Sequence, residues 1–296
     1  MPQLPFLLVD AFTTRRYAGN ACAVVLDAGG LSDAQMLAIA REMNQPETAF
    51  VREVHGRAVS LRFFTPAEEI PLAGHPTVAS IWALLATGRI GGDGVREFEV
   101  ALTAGPVLVS LEQGSDAAPM VCMRQRPPVF LRRYPAEVVA PAFGLEPGDL
   151  RSDAPVQTVS TGTPMLMVPL GNHTALRRAT LDEPRYRALK ATGDFFSPHL
   201  FCLGGATPAG DTFARQFGVF PDVAEDPATG SATGSMAAFL WHYGLLPQPR
   251  FTAEQGHWMQ RPSRIEVRID GPREAIAAVT IAGSAVVTAE GMLHVP

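Results

Sequence analysis

Four side chains of the sequence are of types that hold or move protons and sit in tightly shaped local contexts. They are Glu47 in MNQPETAFV, His75 in LAGHPT, and Asp226 and Ser231 in AEDPATGSATGS. Glu47 has only uncharged neighbours in Pro46, Thr48, Ala49 and Phe50. Apolar surroundings disfavour an ionised carboxyl group and raise its pKa, which suits a general acid/base; a surface glutamate at a strand edge is the other reading. His75 is held between Gly74 and Pro76. An imidazole so positioned can pass a proton in either direction near neutral pH. Asp226 precedes Pro227 and a turn of small residues. It is placed to stabilise a helix start, to orient a histidine or to hold a substrate amine.

Gly74 and Gly230 each open an apolar, helix-like run. The first N–H groups of a helix lack internal partners and carry partial positive charge, so such an end attracts a carboxylate or an enolate-like oxygen. Two readings of the second start stand side by side. Thr229 or Ser231 caps the helix, or the small residues leave the backbone amides open to a substrate. Asn20, in the turn of GNACAVV, either lines a cleft or only bends the chain.

The elements that must position these groups follow from patterning. Residues 5–12, 20–27, 47–54, 58–65, 96–112 and 118–125 read as strands, and Ser32 caps a helix over 32–44. Residues 77–88 read as an apolar helix stopped by Gly88. From 127 a Pro- and Arg-rich stretch reads as a connection with a short helix. Two strands follow over 154–170, then a partly helical 182–193, strand-like HLFCLGG and DTFARQFGVF, an apolar helix over 235–246, and closing strands at 264–269 and 277–295. His55 and His173 fall in turns and read as solvent-exposed.

This order occurs twice, and the letters repeat with it. Offset by 156 residues, Phe64 falls on Phe220, Glu69 on Glu225, Pro71 on Pro227, Gly74 on Gly230, Leu84 on Leu240 and Gly88 on Gly244. Upstream, GNACAVV lies on GTPMLMV at an offset of 143. His75 thus stands where the second copy has Ser231, and Asp226 where the first has Ile70. Residues 1–125, joined by 283–296, and residues 126–282 are expected to form two related α+β halves, with a ligand cleft between them.

Bulk properties narrow the function. The 296 residues are 47% hydrophobic, with a net charge of −5, so no basic face for nucleic acid or an anionic membrane is implied. No apolar run approaches the ~20 residues that span a bilayer, and the N-terminal stretch reads as a strand rather than a signal peptide. Cys22, Cys122 and Cys202 are odd in number and widely spaced, which argues against a disulfide framework and for a reducing, cytoplasmic setting. No clustered Cys/His set suggests a metal, and no GxGxxG, Walker, HExxH or GxSxG motif is present.

VDAFT, GNACAVV, NQPETAFV, FFTPAEEIPLAGHPTVAS, EDPATGSATGSMAAFL, QGHWMQRPSRIEV and IAGSAVVTAEGML span nearly the whole chain. In this order the sequence resembles the PhzF-like phenazine-biosynthesis isomerases of the diaminopimelate-epimerase fold. The resemblance implies an α+β fold of two pseudo-repeated halves, each a sheet wrapped around a central helix, with the active site between them. It implies that Glu47 moves the proton, with His75, Asp226 and Ser231 as the other catalytic positions. Gly74 and Gly230 would turn backbone amides toward the substrate, with Asn20 and Thr229 as further substrate contacts. No cofactor and no metal are expected, the substrate is a small carboxylate, and a homodimer is expected. GNACA departs from the usual Gly-Asn-Pro, and SATGSM, where members vary, is expected to affect selectivity. Epimerases of this fold use two cysteines at the helix starts; His75 and Ser231 occupy those places here, which disfavours a thiol racemase. A lyase or hydratase using the same groups, and a non-catalytic binder, are the alternatives.

Overall fold

The computed structural model describes residues 3–91, 96–114, 119–219 and 223–295. Phe220, matched to Phe64 in the repeat, lies outside them. The chain divides into two compact units. The first comprises Met1–Arg124, Trp258–Ser263 and Ala282–Pro296, the second Gln125–His257 and Arg264–Ile281.

The first unit runs β1 (Gln3–Ala11), β2 (Asn20–Val25), α1 (Asp33–Met43), β3 (Glu47–His55), β4 (Ala58–Phe64), β5 (Glu69–Ile70), α2 (Gly74–Ala86), β6 (Glu97–Ala101), β7 (Val107–Gln113) and β8 (Pro119–Gln125). The second runs β9 (Val129–Tyr134), α3 (Ala136–Val139), β10 (Val156–Ser160), β11 (Pro164–Pro169), α4 (His173–Arg178), α5 (Glu183–Ala191), β12 (Ser197–Leu203), β13 (Thr212–Phe217), β14 (Glu225–Asp226), α6 (Gly230–His242) and β15 (Arg250–Gln255). β16 (Ser263–Asp270) and β17 (Ala278–Gly283) lie mainly in it, and β18 (Ala285–His294) returns to the first unit, antiparallel to β1.

The two units share one wiring. In the first, β2 pairs parallel with β3, β3 antiparallel with β4, and β4 with both β5 and β6. In the second, β11 pairs parallel with β12, β12 antiparallel with β13, and β13 with both β14 and β15. Helices join the parallel pairs, α1 between β2 and β3 and α4 with α5 between β11 and β12, as a parallel connection needs.

α2 and α6 are the central helices, and each has 13 residues. In α2 the residues from Gly74 to Ile81 are all buried, and α6 is buried from Ala232 to Leu240, so both are apolar all round rather than amphipathic. Both end the same way. Gly88 at φ 67° and Gly244 at φ 70° adopt the left-handed conformation, and Arg89 and Leu245 donate back to the Leu84 and Leu240 carbonyls. α1 is amphipathic instead: Ser32 caps it reciprocally with Gln35, and Met36, Ile39 and Ala40 pack on Val25, Phe50 and Phe64.

The elements differ from the sequence expectation at a few places, each with a local cause. α2 starts three residues earlier than 77, because Pro76 falls in the first turn, where a missing N–H costs nothing. α6 starts five residues earlier than 235; the poor helix formers Gly, Ser and Thr are held helical by packing. The run 96–112 is two strands, separated at Gly105 with φ 99°. The Pro- and Arg-rich stretch contains β9, paired with β10. His173 opens α4, half-buried, with Nε2 at 2.9 Å from the Gly204 carbonyl, and His55 is exposed as expected.

Candidate active site

In the first unit three element starts meet. The parallel register of β2 and β3 sets Cys22 opposite Glu47, so Asn20 and Glu47 lie at the same ends of adjacent strands. His75 is the second residue of α2. Its Nδ1 lies 3.1 Å from the Asn20 side-chain nitrogen and its Nε2 lies 3.1 Å from Glu47 Oε2. The His75 side chain is 5% exposed and that of Glu47 21%.

At 3.1 Å the His75–Glu47 contact has the geometry of an ion pair, but the imidazole is not charged. Burial pushes the His75 pKa down to about 3, against the opposing influence of the Ala21 carbonyl. The pair is therefore a neutral ring against a carboxyl group at ordinary pH. Beside it the fully buried Cys22 thiol is pushed well above its usual pKa, first by burial and then by the charge of Glu47. It stays protonated and is no nucleophile. Cys122 and Cys202 are also buried and form no disulfide, with the Cys202 thiol pushed up to about 12 by burial.

Asn20, expected as a substrate contact, is fully buried, and its amide is turned to the ring of His75. The turn that delivers it is held from far along the chain. Arg261 donates to the carbonyls of Gly19 and Ala18 and to the buried carboxylate of Asp10, and Gly19 N–H donates to the Pro262 carbonyl. Asp10 also accepts the Tyr17 N–H. Gly19 has φ 59°, and a Cβ there would lie 2.2 Å from the Ala11 oxygen, so no other residue fits.

In the second unit Asp226 lies in β14, opposite Gln216 of β13. Its carboxylate accepts the hydroxyl of Thr229. Thr229 occupies the N-cap position of α6, yet it makes no side-chain cap; its hydroxyl is committed to Asp226. Ala73, at the N-cap of α2, has no capping side chain at all. Neither central helix is thus closed by a side-chain cap at its start, which resolves the sequence alternative against simple capping. Ser231 is half-buried in the first turn, and its hydroxyl makes no hydrogen bond with another described residue.

Two glutamines fix this start. Gln255 accepts the Thr229 N–H and donates to the Asp226 carbonyl at 2.6 Å and to Thr229 Oγ1 at 3.1 Å, closing the turn 226–229 from the end of β15. Gln125 donates to the Gly230 carbonyl and accepts from Thr161. It reaches there because residue 234 is glycine: a Cβ would lie 1.8 Å from Gln125 Oε1. Ala232, Thr233, Gly234, Ser235 and Met236, where selectivity was expected to reside, are buried inside this unit. Asp10, Gln255 and Arg261 were legible only as letters within VDAFT and QGHWMQRPSRIEV; Gln125 carried no signal.

The first unit holds a carboxyl group with a neutral imidazole, and the second a carboxylate with two hydroxyls, each at the uncapped start of a buried helix. The family model described as "Phenazine biosynthesis-like protein" matches residues 9–291. The chain belongs to this family. A Mesorhizobium japonicum protein named as an isomerase is 35% identical over 98% of both chains. Trans-2,3-dihydro-3-hydroxyanthranilate isomerase of Pseudomonas aeruginosa is 33% identical over 98% of this chain and 99% of its own. The crystal structure of the Bacillus anthracis PhzF-family phenazine biosynthesis protein superposes with a TM-score of 0.89 at 29% identity, covering 99% of this chain and 100% of that one. The fold is that of diaminopimelate epimerase, and the PhzF-like protein is an enzyme of the isomerase class. Among the described residues no group of three metal-ligating side chains comes together, and no helix is long and apolar enough to cross a membrane.

Proposed function

We propose that this PhzF-like isomerase moves a proton between two carbons of a small carboxylated metabolite, amino- or hydroxy-substituted and cyclic, with Glu47 as the acid/base and without a cofactor. The carrying observation is the neutral His75 at 3.1 Å from Glu47 Oε2, with Glu47 still part-exposed. A base needs a partner that steadies it and access to its substrate, and a part-exposed Glu47 beside His75 is consistent with both needs. Glu47 takes a proton from one carbon, the electron pair shifts along the allylic system, and the Glu47 carboxyl, which exchanges its proton with solvent, delivers a proton to the far carbon. No atom is gained or lost. The uncapped amides at Gly74 would stabilise the charge that develops on the substrate meanwhile. Asp226, Thr229, Ser231 and the Gly230 amide are assigned to the substrate's polar groups.

The test uses trans-2,3-dihydro-3-hydroxyanthranilate, the substrate in the name of the Pseudomonas aeruginosa relative, as first probe in D2O. Wild-type turnover incorporates solvent deuterium at carbon. Glu47→Gln loses that incorporation by about 10³-fold while still binding the probe, and Asp226→Asn weakens kcat/KM by a smaller factor. Incorporation at the wild-type rate by Glu47→Gln removes the role given to it.

A further inference from the structure

We propose that Asn20 is a positioning residue that sets the tautomer of His75, keeping the ring proton on Nε2, where it faces Glu47. The inference deepens the reading of Glu47 as the acid/base and rests on it for its catalytic meaning.

A neutral imidazole has one donor nitrogen and one acceptor nitrogen, and the hydrogen bond made by one fixes the role of the other. The atom of Asn20 placed 3.1 Å from His75 Nδ1 is its amide nitrogen, which can only donate. Nδ1 therefore accepts, and the proton lies on Nε2, 3.1 Å from Glu47 Oε2. Both Asn20 and His75 are buried, at 0% and 4% exposure, so water does not compete for either nitrogen.

Asn20 has little freedom to turn away. The residue before it is a glycine that tolerates no side chain, and the two carbonyls before it are held by Arg261, itself paired with Asp10. The chain of control runs from Arg261 to the Gly19 turn, to Asn20, to His75 and to Glu47. An Nε2–H 3.1 Å from Glu47 Oε2 sets a donor beside the carboxyl group that removes the proton in the proposed reaction. After the transfer the carboxyl group still offers an acceptor oxygen, so the same contact persists while a proton is delivered.

The experiment needs no substrate. Protein labelled with 15N at its seven histidines is studied by long-range 1H–15N correlation near pH 7, with His75→Gln to assign the His75 signals. The expected wild-type pattern is a protonated Nε2 and an unprotonated Nδ1. In Asn20→Asp the carboxylate accepts rather than donates, and the protonated signature moves to Nδ1. In Asn20→Leu the preference is lost and both tautomers are populated. A wild-type proton on Nδ1 overturns the inference, and so does an Asn20→Asp or Asn20→Leu protein that folds and keeps the wild-type pattern. Should Asn20→Asp fail to fold, the wild-type and Asn20→Leu spectra still decide. Failure of the catalytic reading is separate: Glu47→Gln would keep incorporating deuterium while the tautomer stood as stated.

Discussion

The first and second units are built on one plan, and they differ at the positions proposed for the chemistry. β3 starts with Glu47 opposite Cys22; at the corresponding place in the second unit β12 starts with Ser197 opposite Met165. α2 carries His75 where α6 carries Ser231. β5 carries Ile70 where β14 carries Asp226. What is kept is the frame. Arg62 makes a two-pronged pair with Glu69 and lies over Phe64; Arg215 does the same with Glu225 over Phe217. In both units this clamp fixes the short strand that leads into the central helix. A duplicated scaffold has thus kept its clamps and helix ends and put Glu47 and the imidazole on one copy, the β14 carboxylate on the other. The proton transfer proposed above uses this inequality, with the base on one copy only.

This comparison can be broken or sharpened by four measurements. The largest expected effect is the loss of about 10³-fold in deuterium incorporation in Glu47→Gln, set against Ser197→Ala, which leaves turnover near wild type. Equal losses from the two would dissolve the assignment of the chemistry to the first unit. Next is the clamp. Arg215→Met strands Glu225 and leaves the Leu176 and Ala179 carbonyls without this donor, and should lower stability by about 2–3 kcal/mol in urea unfolding. Arg62→Met should lower it less, since one of its partners, Asp33, is largely exposed.

Gly234→Ala comes third. The first unit has Val78 at the equivalent helix position, whereas the second needs glycine to admit Gln125. The added methyl should destabilise by about 1–3 kcal/mol, and the further change Gln125→Ala should recover part of it. Full tolerance of alanine would show that Gln125 does not pin this helix start. The smallest effect is on pH dependence, with one buried histidine in each unit. Burial holds His75 at about 3 and His199 at about 4, against 6.5 for an ordinary histidine. Below pH 6.5 the unfolded chain binds protons that the folded one refuses, so stability is full above that pH and falls as acid is added. Each histidine contributes a slope approaching about 1.4 kcal/mol per pH unit until its folded pKa is reached. His199→Gln should roughly halve the histidine part of the slope between pH 6 and 5; an unchanged slope would mean that His199 is not buried and neutral.

The amino-acid order by itself determined the repeat and most elements, because both rest on local signals. The 156-residue offset read from letters is the offset between the starts, the ends and the closing glycines of α2 and α6. It also raised His75, Asp226 and Ser231 as candidates beside Gly and Pro, whereas Glu47 read as readily as a surface residue until the family resemblance was added. Partner choice is what only the tertiary structure decided. Asn20 reads equally well as a turn or a cleft residue until its amide is seen against His75, 55 residues away. Thr229 reads as a cap until its hydroxyl is found on Asp226. Arg261 reaches the Gly19 carbonyl across 242 residues, and Gln255 closes the Asp226 turn across 29. An arginine or glutamine at a strand end looks like any other until the strands are paired. A hydrogen bond is local in space, not in sequence, so the frame was legible in the letters and the aim of its polar groups was not.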